Sequence, residues 1–272
     1  MNTLDTLATL LASQPAPTLL PQYGMIQITG ADAATFIHNQ LSQDFLLLQP
    51  QQARLAAWCN PKGRMITSFY GIKPQADTVL LLLPADNLEF VLKRLKMYVL
   101  RSKCVVEDAQ AHWQISGHIR RQTMPSTAQN PELCSTPLEG GYAIQWPALK
   151  SDLGIFLREI RIKPAQEAPK IEANEALIQL WDWLQVQSGV ALVGAATREA
   201  FVPQMINYES VGGVNFKKGC YPGQEVVARS QFRGQVKRRG YLVHAAQALA
   251  AHAEVLDAQG QGCGQVAMAA AH

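Results

Sequence analysis

The apolar residues of this 272-residue chain come in short runs cut by turn formers, and the clearest case sets the architecture. Leu55 to Cys59 and Met65 to Ile72 are separated by Asn60-Pro61-Lys62-Gly63 and Arg64. Two apolar runs around a short Asn/Pro/Gly turn predict an antiparallel β-hairpin. The longest uninterrupted run of large aliphatics, Val79 to Leu83, reads as a buried strand. It falls far below the ~20 apolar residues of a membrane-spanning helix, so no membrane partner is expected. A secretory signal is not expected either, because Asp5 precedes any basic residue and Thr9, Ser13 and Gln14 break the apolar stretch.

Around the hairpin, Leu4 to Leu11 reads as a helix, and Met25, Ile26 and Ile28 as a strand running into Thr29-Gly30-Ala31-Asp32. Asp32 is placed to cap a helix carrying Phe36, Ile37 and Leu41. Pro84 and Asp86 open a helix in which Leu88, Val91, Leu92, Leu95 and Val99 recur at helical spacing. Short β-like segments follow at Cys104–Val106, Trp113–Ile115, Tyr142–Trp146 and Ile155–Ile162, interrupted by a Pro/Ser/Thr-rich loop from Met124 to Pro137. After a linker from Pro164 to Lys170, Leu177, Leu180, Trp181 and Leu184 mark an amphipathic helix ending near Gly189. Val190 to Asn215 lacks periodicity, the mark of a functional or disordered loop. Tyr241–Val243, Val255–Leu256 and Gln265–Met268 read as strands around a Gly260-Gln261-Gly262 turn.

Five cysteines form no dense disulfide framework, and their odd number leaves at least one unpaired, which favours a reducing compartment and a cytoplasmic location. No C-x-x-C, H-x-x-x-H or C-x-x-H occurs, so no metal site is expected, and the phosphate loop, nucleophile elbow and H-E-x-x-H motifs are missing. The net charge is +3, unevenly spread: Lys217 to Arg239 holds seven basic residues against the single acid Glu225, leaving the remainder at a deficit of three. Such a stripe suits an anionic ligand or nucleic acid, or simply a solvated face.

The most informative segment is Lys217-Lys218-Gly219-Cys220-Tyr221-Pro222-Gly223-Gln224-Glu225. Pro222 suits the first position of a helix and Glu225 its first turn, which would set Cys220 just outside a helix N-terminus. The positive helix end and the two lysines would both favour thiolate, the nucleophilic form. A buried inert cysteine is the alternative.

Lys218-Gly219-Cys220-Tyr221-Pro222-Gly223-Gln224-Glu225 resembles the K-G-C-[aromatic]-x-G-Q-E signature of YgfZ-type folate-binding proteins, relatives of the glycine-cleavage aminomethyltransferase. Further islands agree. Ile28 to Asp32 is similar to I-T-G-x-D, Asn39 to Asp44 to a Q-x-T-x-D helix end, and Asn60 to Arg64 to an x-x-K-G-[KR] hairpin. Leu95 to Cys104 resembles L-x-x-Y-x-x-x-S-K-V, and Phe201 to Gln204 resembles F-[IV]-P-Q.

The resemblance implies an α+β fold: a ring-like, multi-subdomain aminomethyltransferase-type assembly around a central hole for a tetrahydrofolate, with a partial C-terminal β-barrel that in the family continues further. The parts expected are residues 1–110 (N-terminal α+β, folate-binding), 111–170 (β-rich), 171–234 (helix plus signature loop, completing the folate-binding body) and 235–272 (incomplete barrel). The implied site has Cys220 as reactive thiol, tuned by Lys218 and Glu225, with Tyr23, Trp181, Tyr221 and Gln224 on the cofactor side. Tyr23 stands where the family more often has tryptophan and keeps a ring for stacking. Trp181 shares an apolar helix face with Leu177 and Leu184, which also suits a core residue.

The aminomethyltransferases carry an Asp-Asp pair after the hairpin where this chain has Thr67 and Ser68, and neither hydroxyl replaces a carboxylate near pH 7. The resemblance therefore implies the branch that maintains iron-sulfur enzymes and, through them, tRNA modification, with iron-sulfur client or assembly proteins as partners and no conventional turnover. The competing classes are a folate-dependent one-carbon transferase and an RNA-binding module using Lys237, Arg238 and Arg239.

Overall fold

The computed structural model describes residues 15–122, 132–151, 153–234 and 236–270. The helix expected at Leu4 to Leu11 and most of the Met124 to Pro137 loop lie outside these residues.

Strands β2 (Tyr23–Thr29), β3 (Ala53–Cys59), β4 (Met65–Gln75), β5 (Thr78–Pro84) and β6 (Val105–Asp108) form an antiparallel sheet in the order β3-β4-β5-β2-β6. Helices α1 (Ala33–Gln40) and α2 (Leu88–Val99) belong to this unit, α2 entered through a 3-10 turn at Ala85–Asn87. The uninterrupted run in β5 has a direct cause. Val79, Leu81 and Leu83 pack with Ile37, Val91 and Leu95 of the helices, while Leu80 and Leu82 join a second core with Tyr70 and Trp181. A strand covered on both faces loses the apolar/polar alternation, and each such buried side chain contributes about 1.5–3 kcal/mol.

A second antiparallel sheet runs β1-β7-β11-β9-β8, with β10 beside β11, from β1 (Thr18–Leu19), β7 (Trp113–Gln122), β8 (Cys134–Leu138), β9 (Gly141–Gln145), β10 (Leu149–Ser151) and β11 (Gly154–Pro164). Helix α3 (Glu175–Gln187) contributes Leu177, Leu180, Trp181 and Leu184 to the core shared with this sheet, and Asn174 caps it by accepting from the Leu177 amide at 3.2 Å. The hairpin, the buried strand and both amphipathic helices match the sequence reading.

Four local expectations are corrected. Asp32 stands at the N-cap of α1, yet its carboxylate makes no capping bond and instead accepts from the Lys103 amide at 2.7 Å, joining the Ile28–Asp32 and Leu95–Cys104 islands. Residues 134–138, read as loop, form β8, and Pro137 is tolerated because the strand is at the sheet edge. Strand β7 runs to Gln122, past Gly117, whose missing side chain makes room for Trp181: a carbon there would sit 3.0 Å from the indole Cε3. Tyr241–Val243, read as a strand, is exposed and not one; the same C-terminal stretch holds a two-stranded ribbon, β12 (Glu254–Leu256) with β13 (Gly262–Gln265).

Candidate functional site

Three of the sequence islands meet around the signature loop and the helix that follows it. Its Lys218 is buried, and Nζ donates to the carbonyl of Leu41 at 2.7 Å and to that of His38, so the cation caps the C-terminus of α1. This satisfies orphan carbonyls and sets positive charge at the negative helix end. Just beyond α1, Ser42 Oγ donates to Gly213 O at 2.6 Å and accepts from the Ala57 amide at 2.8 Å, and Gln43 Nε2 donates to Gly212 O at 2.5 Å. The hairpin contributes its turn. Gly63 (φ 72) and Gly223 (φ 80) meet backbone to backbone, and a carbon added at Gly223 would lie 2.8 Å from Gly63 Cα, 2.9 Å from Gly63 N and closer still to Asn60 O. Both glycines are required by a left-handed φ and by this approach. The Phe201–Gln204 island closes the cluster: the Met65 amide donates to Phe201 O at 2.8 Å, and Gln204 Nε2 to Val227 O at 2.8 Å.

Helix α4 spans Gln224–Phe232 with Gly223 at its N-cap. The expected start at Pro222 is corrected by the left-handed backbone at 223, which no helix can include, so Cys220 stands in the approach to the helix, outside its first turn. The thiol is exposed. Glu225 points to solvent and pairs with Arg229 at 2.7 Å, an exposed i,i+4 contact of little energetic value. Gln224 Nε2 makes only a long 3.5 Å contact to Gly219 O. Tyr221 is buried with Lys218 Nζ 5.0 Å from its ring centre, and burial, reinforced by Cys59, pushes its hydroxyl well above the ordinary phenol range. Burial lowers Lys218 to about 8 against the opposing attraction of Asp44 and Cys220. Lys218, Cys220, Tyr221 and Gln224 thus share one locus.

His38 belongs to no histidine motif in the sequence. It lies in the last turn of α1, with Nδ1 3.2 Å from Asp44 Oδ1. Its signal was legible: it follows the buried Ala34 by one helical turn and stands at the Asn39–Asp44 island.

Tyr23 and Trp181 form a separate pair in the shared core. Trp181 Nε1 donates to Tyr23 Oη at 3.1 Å, and both residues are wrapped by protein, at 4% and 0% exposure. Arg158, which sequence reasoning missed, lies over Trp181 and Trp146 at 5.5 Å from each ring. It is 3% exposed, its Nη1 donates to Gln185 at 3.2 Å, and among the described residues its Nε has no partner and no carboxylate pairs with it. Burial lowers its pKa while Tyr70 and Tyr23 oppose. The clue was register, since Phe156, Ile160 and Ile162 point inward and Arg158 falls in the same alternation. A buried guanidinium nitrogen beside polar aromatics fits an acceptor-rich ligand such as a reduced folate.

Among the other cysteines, Cys59 is buried and pushed up to about 12 by desolvation, Cys104 is raised by burial and then Asp32, and Cys263 is exposed. Thr67 Oγ1 donates to Val193 O at 3.0 Å and Ser68 Oγ accepts from the Val193 amide at 2.9 Å, so both hydroxyls strap down the 190–215 loop. In the basic stripe, Arg239 is tied to Glu209, while Lys237 and Arg238 line an open cavity with Met205 and Ser230.

No family model matches the chain. It is 29% identical over 224 residues to the tRNA-modifying protein YgfZ of Enterobacter sp. (strain 638), an alignment covering 80% of this chain and 68% of the relative. The chain is similar to this YgfZ protein over most of its length. The YgfZ resemblance read from the motifs is upheld by this alignment. The fold is that of the glycine cleavage system aminomethyltransferase T from Bartonella henselae, superposed with a TM-score of 0.64 at 16% identity over 93% of this chain and 73% of that one. Among the described residues, no helix is long and apolar enough to cross a membrane.

Proposed function

We propose that this chain is a cytoplasmic, folate-binding accessory protein that supports iron-sulfur enzymes and thereby tRNA modification, with Cys220 as its working thiol. The observation that carries the reading is the convergence of islands far apart in sequence around one exposed cysteine: the α1 end and the hairpin turn pack on its loop, and the Phe201–Gln204 segment bonds the helix that follows the loop. Elaborate backbone support of an exposed thiol is what a positioned nucleophile needs and what an inert surface cysteine does not. The YgfZ relative is named for tRNA modification, which agrees with this reading. One cysteine cannot hold an iron-sulfur cluster, since four protein ligands are usual, so Cys220 acts on iron or sulfur with a partner protein.

A reduced folate would be held by Tyr221 and Gln224 of the loop and by the Tyr23–Trp181 pair, with Arg158 Nε as donor. When bound, it supplies one-carbon carrier chemistry. The chain's own residues supply aromatic rings and a buried donor in the core, and an exposed thiol on the signature loop. A one-carbon transferase is the weaker reading, because Thr67 and Ser68 are spent on Val193. An RNA-binding module is weaker still, as Arg239 is already paired with Glu209. Calorimetry with tetrahydrofolate tests the cofactor: micromolar affinity, about -8 kcal/mol, is expected, and no binding at high protein concentration contradicts it. Cys220→Ser should abolish support of iron-sulfur enzymes, whereas retained support removes the mechanism.

A further inference from the structure

We propose that the exposed end of α2 and the turn after it, Lys93 to Lys103, form the docking surface for the partner protein on which Cys220 acts, received by an acidic face of that partner with an apolar pocket for Leu100. The inference rests on the reading of Cys220 as a thiol that works with a partner, and it says where the partner sits. The first observation is a leucine in a glycine's place. The Ser102 amide donates to Val99 O at 2.8 Å, closing a four-residue turn in which Leu100 has φ 45 and ψ -105. That is the first central position of a type II′ turn, where glycine is usual because a bulky side chain is strained. The strain buries nothing, since Leu100 is 86% exposed. An outlier backbone that presents an apolar side chain to solvent points to a task outside the fold.

The turn is held from behind. Asp32 accepts from the Lys103 amide at 2.7 Å, and its own amide donates to Lys103 O at 3.2 Å. Gly30, at φ 121, leaves no room for a side chain beside Lys103 O. Leu100 is thus offered on a fixed backbone, which spares a partner the cost of ordering it. Beside it in the chain, Met97 is 70% exposed and Tyr98 is exposed as well. From Lys93 to Val99 the helix rises only about 9 Å, so the group is compact. Tyr98 also ties the surface to the site: its ring meets Trp58 edge-on at 6.2 Å, Trp58 bridges to Leu41, and Leu41 O accepts from Lys218 of the signature loop at 2.7 Å.

Charge selects the partner's face. Between Leu88 and Cys104 the five cations Lys93, Arg94, Lys96, Arg101 and Lys103 stand against the single acid Glu89, a surplus of four in a chain whose whole surplus is three. Among the described residues, none of the five is in an ion pair. Such a cluster steers and holds an acidic surface. Leu100 and Met97 favour protein over RNA, because neither offers a ring to stack on a base, whereas methionine, tyrosine and arginine are enriched in protein interfaces. A membrane would need the apolar face of α2, and that face, Leu88, Val91 and Leu95, is in the core.

The test supplies cells lacking this chain, at a limiting level, with wild type, Leu100→Gly, the pair Lys93→Glu and Lys96→Glu, or Cys220→Ser, and reads modified tRNA nucleosides by mass spectrometry. Leu100→Gly relaxes the turn, so the protein should melt at or above the wild-type temperature while modification falls about fivefold or more. A merely structural Leu100 would give a variant as active as the wild type. The charge reversal should cause a similar loss, and Lys93→Arg with Lys96→Arg should keep the wild-type level. Wild-type modification in both Leu100→Gly and the reversed pair overturns the docking surface, and a loss in Cys220→Ser alone then leaves the thiol reading standing. A Cys220→Ser that retains modification overturns the thiol reading whatever the surface variants do. The partner's class is read with photo-reactive benzoylphenylalanine in place of Glu89, one helical turn before Lys93, in the full chain in cells. A cross-link to an iron-sulfur enzyme or assembly protein that Leu100→Gly removes supports the proposal. Cross-links only to tRNA, to lipid or to a second copy of this chain, or none at all, overturn it.

Discussion

Gly223→Ala tests the contact that positions the signature loop. Two costs add. The backbone at 223 has φ 80, a left-handed conformation costing an L-residue about 1–2 kcal/mol. The added carbon also meets backbone atoms of Gly63 at 2.8 and 2.9 Å, and no side chain can rotate away, an overpacking worth about 1–3 kcal/mol more. The sum is about 2–5 kcal/mol. Gly212→Ala is the control, because φ there is 76 and nothing lies within 4 Å of the added carbon, so only the conformational cost of about 1–2 kcal/mol is expected. Urea denaturation of the two variants gives the difference, and cysteine footprinting shows whether Cys220 labelling changes in Gly223→Ala alone. If both variants lose the same stability and label alike, the hairpin turn does not hold the loop.

Three further outcomes follow from the charges. Lys218 binds its proton at about 8 when folded and at 10.5 when free, so the unfolded chain holds more protons between these values and the lysine's contribution to stability should rise with pH through that window. Subtracting the Lys218→Met curve isolates a rise on the order of 2–3 kcal/mol, and a flat difference curve refutes the buried cation. Arg158→Met removes a buried guanidinium lacking a carboxylate, so thermal stability should hold or gain about 1 kcal/mol while tetrahydrofolate affinity drops at least about tenfold. Unaltered affinity by calorimetry removes Arg158 from the folate site. Lys237→Glu with Arg238→Glu should leave tRNA modification intact. Loss of modification together with salt-resistant tRNA binding by the wild type alone would establish these residues as an RNA site.

The elements with strong periodicity or clear turns were legible in the sequence: the Asn60–Gly63 turn, the run in β5 and the stripes of α2 and α3. Legibility failed where a residue's role comes from distant chain. Asp32 has the right identity and position for a cap, but the Lys103 amide competes for its carboxylate. Residues 190–215 carry no period because their order comes from outside, through the strap from Thr67 and Ser68 to Val193 and the bonds from Ser42 and Gln43 to residues 212 and 213. Within the site, the signature identified Cys220 and Lys218, while a linear reading could not foresee that Lys218 reaches back to cap α1. Glu225 fits a first-turn carboxylate and in fact faces solvent with Arg229. His38 and Arg158 sit where helical and strand periodicity place apolar residues, so each is visible as a break in its pattern once that pattern is drawn.

The central claim is that Cys220 is the working thiol of a protein that supports tRNA modification. Its most direct measurement is the level of modified tRNA nucleosides, by mass spectrometry, in cells lacking this chain and supplied with wild type, Cys220→Ser or Cys263→Ser. Both substituted cysteines are exposed, so neither change should disturb the core. Cys263→Ser should restore modification to the wild-type level, and Cys220→Ser should leave it at background although the protein accumulates folded. Full restoration by Cys220→Ser would contradict the account.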